Sequence, residues 1–467
     1  MRDDDDERLL SPGYRRTFIG MSFTVAVFNF ADRSVLAVLA QPIKRDLHLT
    51  DFQLGILQGV AFAFLYAILG LPIGRLAERV SRVKIIATAI TFWSLMTAAC
   101  GLAGNFLHLL LCRVGVGMGE AGSQPATSSL VSDHFPRERR ASAMSLIMLG
   151  TPAGTFLGAA VGGWVAAQWG WRAAFFALGV PGVIVGLIVL LVLREPRRGL
   201  ADNAPREPMP IPDFGAFLRV VASKRGLLFV IAGGALAGFG MTAISQFLAV
   251  YLGRIYQLPV QQAGALYGTI SAIALASGLL IGSFGTDWLS RRGDRRWPAW
   301  GSAIGLAVAP LLYWIAFNMH SILWGSVMLC LSGAALLVFY GPTMGMIQNL
   351  LEPRMRATGA ALFAILYTIF GSGLGPVAVG WMSDHFAGSV FAGGNYLEQC
   401  HGGKAALAAA KSLADPCAVA ATHGIKTALM AAVCVFFLAS ICFLIASITL
   451  REDFYVVGEE RAPRAGG

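Results

Sequence analysis

The chain is 467 residues long, 56% hydrophobic and 13% charged, with a formal net charge of +10. A soluble domain carries about 25% charged residues, so a water-soluble globule is excluded. The basic excess lies in short clusters between apolar stretches, not on one folded face, which argues against a nucleic-acid partner and makes the charge a record of topology.

An acidic run, Asp3 to Glu7, precedes any long apolar stretch, so no cleavable signal is expected and the first stretch, after Arg16, should stay in the membrane. From there the chain repeats apolar runs of about 20 residues or more, each able to cross about 30 Å of hydrocarbon as a helix. The pattern predicts spans at 17–43, 54–77, 84–104, 107–130, 142–166 and 172–193. A second group follows at 226–252, 262–285, 298–318, 322–349, 357–381 and 422–449. Between them, a charged stretch containing Pro208 and Pro210 reads as a linker. The short alternating strands of a membrane barrel are missing, so the expected fold is an all-α integral membrane protein with 12 transmembrane helices in two six-helix bundles. The expected organisation is an N-terminus at 1–16, a bundle at 17–193, a linker at 194–225, a second bundle at 226–449 and a tail at 450–467. The second bundle includes an insertion at 384–421.

Loops on the side of the N-terminus carry twenty Lys and Arg, clustered at 75–84, 137–140, in the linker, at 291–296 and at 354–356, against about six on the other side. That bias predicts both termini in the cytoplasm of a multi-pass protein of the cell membrane. The insertion then faces outside, where Cys400 and Cys417 could form a disulfide or remain separate thiols. The other five cysteines fall within apolar segments and read as small hydrophobes.

The two groups of spans are repeats. Leu49, Gln53, Gly55, Gly59, Ser81 and Arg82 recur, shifted by 209 positions, as Leu258, Gln262, Gly264, Gly268, Ser290 and Arg291. Near the ends of spans five and eleven, Leu157, Gly158, Gly162 or Gly163 and Trp164 find counterparts in Leu374, Gly375, Gly380 and Trp381. Duplicated six-span bundles imply a carrier that rocks around a central site.

Ionisable residues inside apolar segments cost several kcal/mol unless paired or set against a wet cavity. Four stand out: Asp32 and Arg33 deep in span one, and Arg113 and Glu120 in span four. Arg113, Gly117 and Glu120 lie at i, i+4 and i+7 and share a helix face, whereas Asp32 and Arg33 diverge and each needs a partner on another helix. The functional reading is a polar cavity where Arg33 and Arg113 meet an anionic substrate and Glu120, with Asp32 competing, exchanges a proton. The alternative is a fixed ion network that sets helix order. Glycine stripes in spans four and five, with Pro125, Pro152 and Pro376, permit close backbone approach and bends. At the inner ends of spans two and eight, GRLAERVSR and SFGTDWLSR place Glu78, Arg79 and Arg82, then Asp287 and Arg291, as a candidate cytoplasmic gate.

These loop motifs and the twelve spans resemble the major facilitator superfamily, with Glu78 standing where Asp is usual and Ser81 and Ser290 where Gly is frequent. Ser283 and Trp288 also depart from the pattern, which implies a weaker second copy of the lock. NFADR in span one, RVGVGMGEAGSQP in span four, SDHFPRERR and the GWR at 170–172 resemble the spinster branch. That resemblance implies a proton-coupled carrier of a lysophospholipid or sphingosine-1-phosphate-like amphiphile, with Asp32, Arg33, Arg113 and Glu120 at the branch's buried positions. A carrier of small organic anions such as sugar acids is the first alternative and a multidrug exporter the second. Substrate, protons and membrane lipid are the expected partners, and a monomer is the expected state. No Walker lysine and no acid-rich metal cluster occur, so no cofactor, metal or enzymatic activity is expected.

Overall fold

The computed structural model describes residues 9–77, 79–197, 200, 214–292, 294, 296–351, 355–401 and 410–453, and these are helical without any strand. The first span is α1, Pro12–Leu47, which opens with the Ser11 side chain accepting from Tyr14 N and with Pro12 in its first turn. It closes at His48, whose left-handed backbone (φ 54°) returns its N–H to Lys44 O. A capping box between Thr50 and Gln53 starts α2, Asp51–Gln58, and α3, Val60–Ala77, completes span two beyond a bend at Gly59. Next come α4, Arg82–Cys100, then α5, Phe106–Glu120, and α6, Ser123–His134, which together make span four. Next, α7, Arg137–Met148, leads into α8, Gly150–Val192, and Gly170 breaks α8 into spans five and six with φ 84°, a conformation that favours glycine.

The second half begins with α9, Phe214–Ser223, and α10, Arg225–Ile255. Span eight joins α11, Val260–Leu280, a π turn at Ile281–Gly285 and α12, Thr286–Arg292. Span nine is α13, Trp297–Asn318, and span ten combines α14, Ile322–Leu337, with α15, Tyr340–Leu350. In span eleven, α16, Arg356–Leu366, passes through a π segment at Tyr367–Leu374 into α17, Gly375–Val390. The short α18, Tyr396–His401, precedes α19, Ala410–Ala432, and α20, Val435–Asp453. The flanking helices reach into the predicted insertion from both sides: α17 continues to Val390 and α19 starts by Ala410.

Among the described residues, ten stretches are long and apolar enough to span a membrane. Splitting α8 at Gly170 and adding the broken span four, too interrupted and polar to qualify alone, brings the count to the expected twelve.

Glycines from the repeat set where the bundles touch. A Cβ on Gly55 would lie 2.3 Å from Pro376 O, and one on Gly59 would lie 2.4 Å from Gly373 O, so span two packs backbone to backbone on span eleven. Their counterparts do the same on the opposite flank, where a Cβ on Gly264 would lie 2.7 Å from Ala159 O and one on Gly268 3.0 Å from Ala159 Cβ, joining span eight to span five. The second repeat follows suit: a Cβ on Gly380 would lie 2.2 Å from Asp51 O, and one on Gly163 3.0 Å from Val260 O. These inter-bundle contacts run from the middle of the molecule to the end carrying the Cys400–Cys417 disulfide, hereafter the disulfide end. At the opposite, linker end, α6 and α7 pack chiefly within the first bundle.

Candidate functional site

Span one places Asp32 and Arg33 mid-helix, and span four places Arg113 and Glu120 on one face of α5. Arg33 donates from Nε and Nη2 to Glu120 Oε2 at 2.9 and 2.6 Å, so a charge from each helix is paired across the bundle. Gly117 brings span four against span two, turning its bare backbone to Phe62 O, where a Cβ would lie 2.3 Å away. Arg33 rests over the Phe62 ring at 4.4 Å, with the rings of Phe30 and Tyr66 at 5.3 and 5.4 Å, a geometry that holds a guanidinium by cation–π attraction. Its side chain keeps 26% exposure while that of Glu120 has 0%.

Behind this pair the charges lack full hydrogen bonding. Both carboxyl oxygens of Asp32, Nε and Nη1 of Arg113, and Oε1 of Glu120 are buried without a hydrogen-bond partner among the described residues. Arg113 acts electrostatically on both carboxylates, and Trp93 and Thr97 of α4 flank Asp32 outside hydrogen-bond geometry. Incomplete satisfaction of three buried charged groups is costly in a purely structural network and characteristic of a site whose partners change. The second bundle faces this site with Tyr367, which Arg33 influences electrostatically, and Tyr340, whose ring lies 6.0 Å from that of Tyr367.

At the disulfide end a second ion network ties the bundles together. Asp51, at the start of α2, accepts Lys44 Nζ at 2.5 Å and both Nη atoms of Arg254 from α10 at 2.7 and 2.8 Å. Ser383 of α17 adds a hydrogen bond of 2.6 Å. Asp384, beside it, accepts the backbone N–H groups of Asp51 and Phe52 at 3.1 and 2.8 Å, so a carboxylate of the second bundle caps a helix of the first. The chain around the disulfide covers this network, with Arg254 Nη1 also donating to Ala421 O at 3.2 Å.

The sequence matches the Major Facilitator Superfamily over residues 22–387. The chain belongs to that superfamily. The transporter is 32% identical over 375 residues to an MFS-type efflux pump of Mycolicibacterium smegmatis, covering 80% of this chain and 86% of that one. It is 25% identical over 374 residues to the sphingosine-1-phosphate transporter SPNS2 of Xenopus tropicalis, covering 77% and 72%. A probable L-galactonate transporter of Escherichia coli shares 29% over 285 residues, covering 58% and 61%. Among solved structures, a bacterial homolog of the human lysosomal transporter spinster, in an inward-facing and unoccupied conformation, superposes with a TM-score of 0.87 at 29% identity, over 96% of this chain and 100% of that one. The transporter is therefore spinster-like.

At the linker end, Arg82 of the expected gate finds its described partners in the first bundle. Arg82 is buried and donates from Nε to Glu195 Oε1 at 2.7 Å, from Nη1 to Asp133 and Ser129, and from Nη2 to Pro196 O. Every one of these partners belongs to the first bundle or its exit, so Arg82 clamps spans three, four and six instead of bridging the bundles. Burial opposes ionisation of Glu195, but the Val83 N–H, Arg82 and Ser81 outweigh it and hold its carboxyl below the usual range. Arg79 and Arg291 are exposed. Glu78 lies outside the described residues, as does the side chain of Asp287.

Cys400 and Cys417 are joined, with an S–S distance of 1.99 Å. The GWR motif has a structural part: Trp171 Nε1 and Arg172 Nη1 donate to Asp46 at 3.2 and 2.6 Å, and Arg172 Nη2 donates to Ala103 O at 3.2 Å, fastening the ends of spans one, three and six. Sequence reasoning missed the aromatic wall of Phe62, Tyr66, Tyr340 and Tyr367 and the Asp51–Arg254 network. Tyrosines within apolar spans were the available signal for the wall. For the network, each charge lies near a span end, where a solvated side chain is the ordinary expectation.

Proposed function

We propose that the transporter is a proton-coupled carrier of a single-chain amphiphilic anion, a lysophospholipid or sphingosine-1-phosphate-like molecule, working by alternating access. The observation that carries this reading is the buried Asp32, Arg33, Arg113 and Glu120 cluster, with only Arg33 partly exposed and set in an aromatic wall. A guanidinium flanked by rings meets an anionic head group with apolar groups beside it. An anion binding Arg33 competes with Glu120, and a carboxylate released from its cation in a low-dielectric interior takes up a proton. The similarity to a sphingosine-1-phosphate transporter supports the amphiphile.

In this reading the basic loops put both termini and the linker end in the cytoplasm, so a molecule fastened at its disulfide end is inward-facing. The same charge bias puts the disulfide on the oxidising side of a cell membrane. The monomer contains both bundles and the complete candidate site.

Purified protein in lipid vesicles under an imposed pH gradient, supplied in turn with lysophospholipid, sphingosine-1-phosphate and hexuronate, tests the assignment. Gradient-driven flux of either lipid exceeding that of hexuronate is expected. Flux of hexuronate alone would instead support the small-anion reading, which the L-galactonate relative favours. Glu120→Gln should abolish gradient-driven accumulation while retaining substrate binding, and normal gradient dependence in the folded variant shifts the coupling role to Asp32.

A further inference from the structure

A cleft of about 510 Å³ opens at the disulfide end of the second bundle, between the end of α10, the turn after α13 and the start of α19. It is separate from the Arg33–Glu120 site in the other bundle. Its size is that of a small-molecule site. Its charged and titratable lining is Arg254, His320, His423 and Lys426, with the phenol of Tyr256, and no carboxylate among the described residues lines it. Met319, Ala418 and Val419 contribute apolar surface, and Val419 is 68% exposed. Arg254 is already neutralised by Asp51. Lys426 is not: it is half-buried on an apolar helix, and no acid among the described residues pairs with it. An ammonium so placed gains strongly from an anionic partner.

We infer that this cleft is a second binding site, for a single-chain amphiphile with an anionic head group. The head sits at Lys426 and the imidazoles of His423 and His320, and the chain lies along Met319 and Val419. The site does not require the central one to be occupied, so the two are separable by substitution.

Dodecyl phosphate is the probe. Calorimetric titration of the full chain carrying Arg33→Ala, which disables the central site, should retain one saturable binding event. Adding Lys426→Gln and His423→Gln should weaken it at least about tenfold, the scale of one lost charge-assisted hydrogen bond. Unchanged affinity in the triple variant overturns the site. Equal competition by inorganic phosphate overturns the amphiphile, and equal binding of dodecylphosphocholine overturns the requirement for net negative charge. In the unmodified chain, dodecyl phosphate should protect Lys426 from acetylation by acetic anhydride, read by peptide mass spectrometry. No protection there refutes the proposal even if the triple variant does not fold.

Discussion

Arg33 and Arg113 carry the same charge at different depths, and depth sets what each can do. Arg33 keeps 26% side-chain exposure beside three rings, whereas Arg113 is 2% exposed behind it, within reach of Asp32 and Glu120. Arg33→Ala should therefore weaken binding of anionic substrates by roughly ten- to a hundredfold, the loss of one or two charge-assisted contacts, with a smaller effect on zwitterionic ones. Arg113→Ala leaves two buried carboxylates with one cation fewer. That loss should destabilise the protein by roughly 3–5 kcal/mol, lowering the detergent melting temperature more than Arg33→Ala does. Equal melting temperatures for the two variants, with equal losses of binding, would refute the division. Glu195 offers a test at a site outside the membrane. Its carboxyl is held below the usual range, so its contribution to stability is complete above the ordinary carboxylate value of about 4.3 and is lost as pH falls through its folded value. The melting-temperature gap between the wild type and Glu195→Gln should be full near neutral pH and close below about pH 4. A gap that widens on acidification contradicts the clamp.

Among the elements, the helices that matter most for motion are those that meet through glycine. Gly55 and Gly264 are equivalent by the 209-residue shift, and each presents bare backbone to the other bundle. A methyl group at Gly55 would sit 2.3 Å from Pro376 O and 2.9 Å from its carbonyl carbon, and backbone cannot rotate aside as a side chain can. Gly55→Ala should push span two from span eleven and disfavour the arrangement closed at the disulfide end. Gly70→Ala, where no atom lies within 4 Å of the added carbon, is the matched control. Spin-label distances across the disulfide end should lengthen in the first variant and not in the second, and unchanged distances in both sink the idea. The π segment at Tyr367–Leu374 belongs to the same interface, where Gly373 faces Gly59, and within the second bundle it accepts Thr242 Oγ1 of α10 at Gly371 O, 2.7 Å away. A π segment loosens the regular hydrogen-bond ladder where span eleven touches both the other bundle and the candidate site.

For the molecule as a whole, the ion network at Asp51 makes the two flanks of the bundle interface unequal. The repeat places Val260 at the position equivalent to Asp51, so the contact between spans two and eleven carries a charge there and that between spans eight and five does not. A single buried anchor is easier to release than two. Arg254→Ala removes the link from Asp51 to the second bundle's guanidinium while leaving Lys44 to neutralise the acid. Loss of about 3 kcal/mol from the closed disulfide end would shift the conformational ratio by roughly a hundredfold toward opening there. Faster labelling of a cysteine introduced at Gln58, beneath the network, is the expected result. Labelling at the wild-type rate would show that the glycine contacts alone hold that end.

The sequence by itself determined the class of fold, the twelve crossings, the duplication and the residues at the centre. Apolar runs of membrane length, a fixed repeat shift and charges within those runs are local signals, readable without knowing which helix touches which. It also singled out Arg82 and the glycines without revealing their partners. Only the tertiary structure decided that Arg33 pairs with Glu120 while Asp32 has no hydrogen-bond partner among the described residues, that Arg82 clamps one bundle, and that Asp51 bridges two. Helix rotation and crossing place a side chain within 3 Å of another or several ångströms out of reach. A charge near a span end therefore looks the same in sequence whether it meets water or, as with Asp51 and Arg254, a partner 203 residues away.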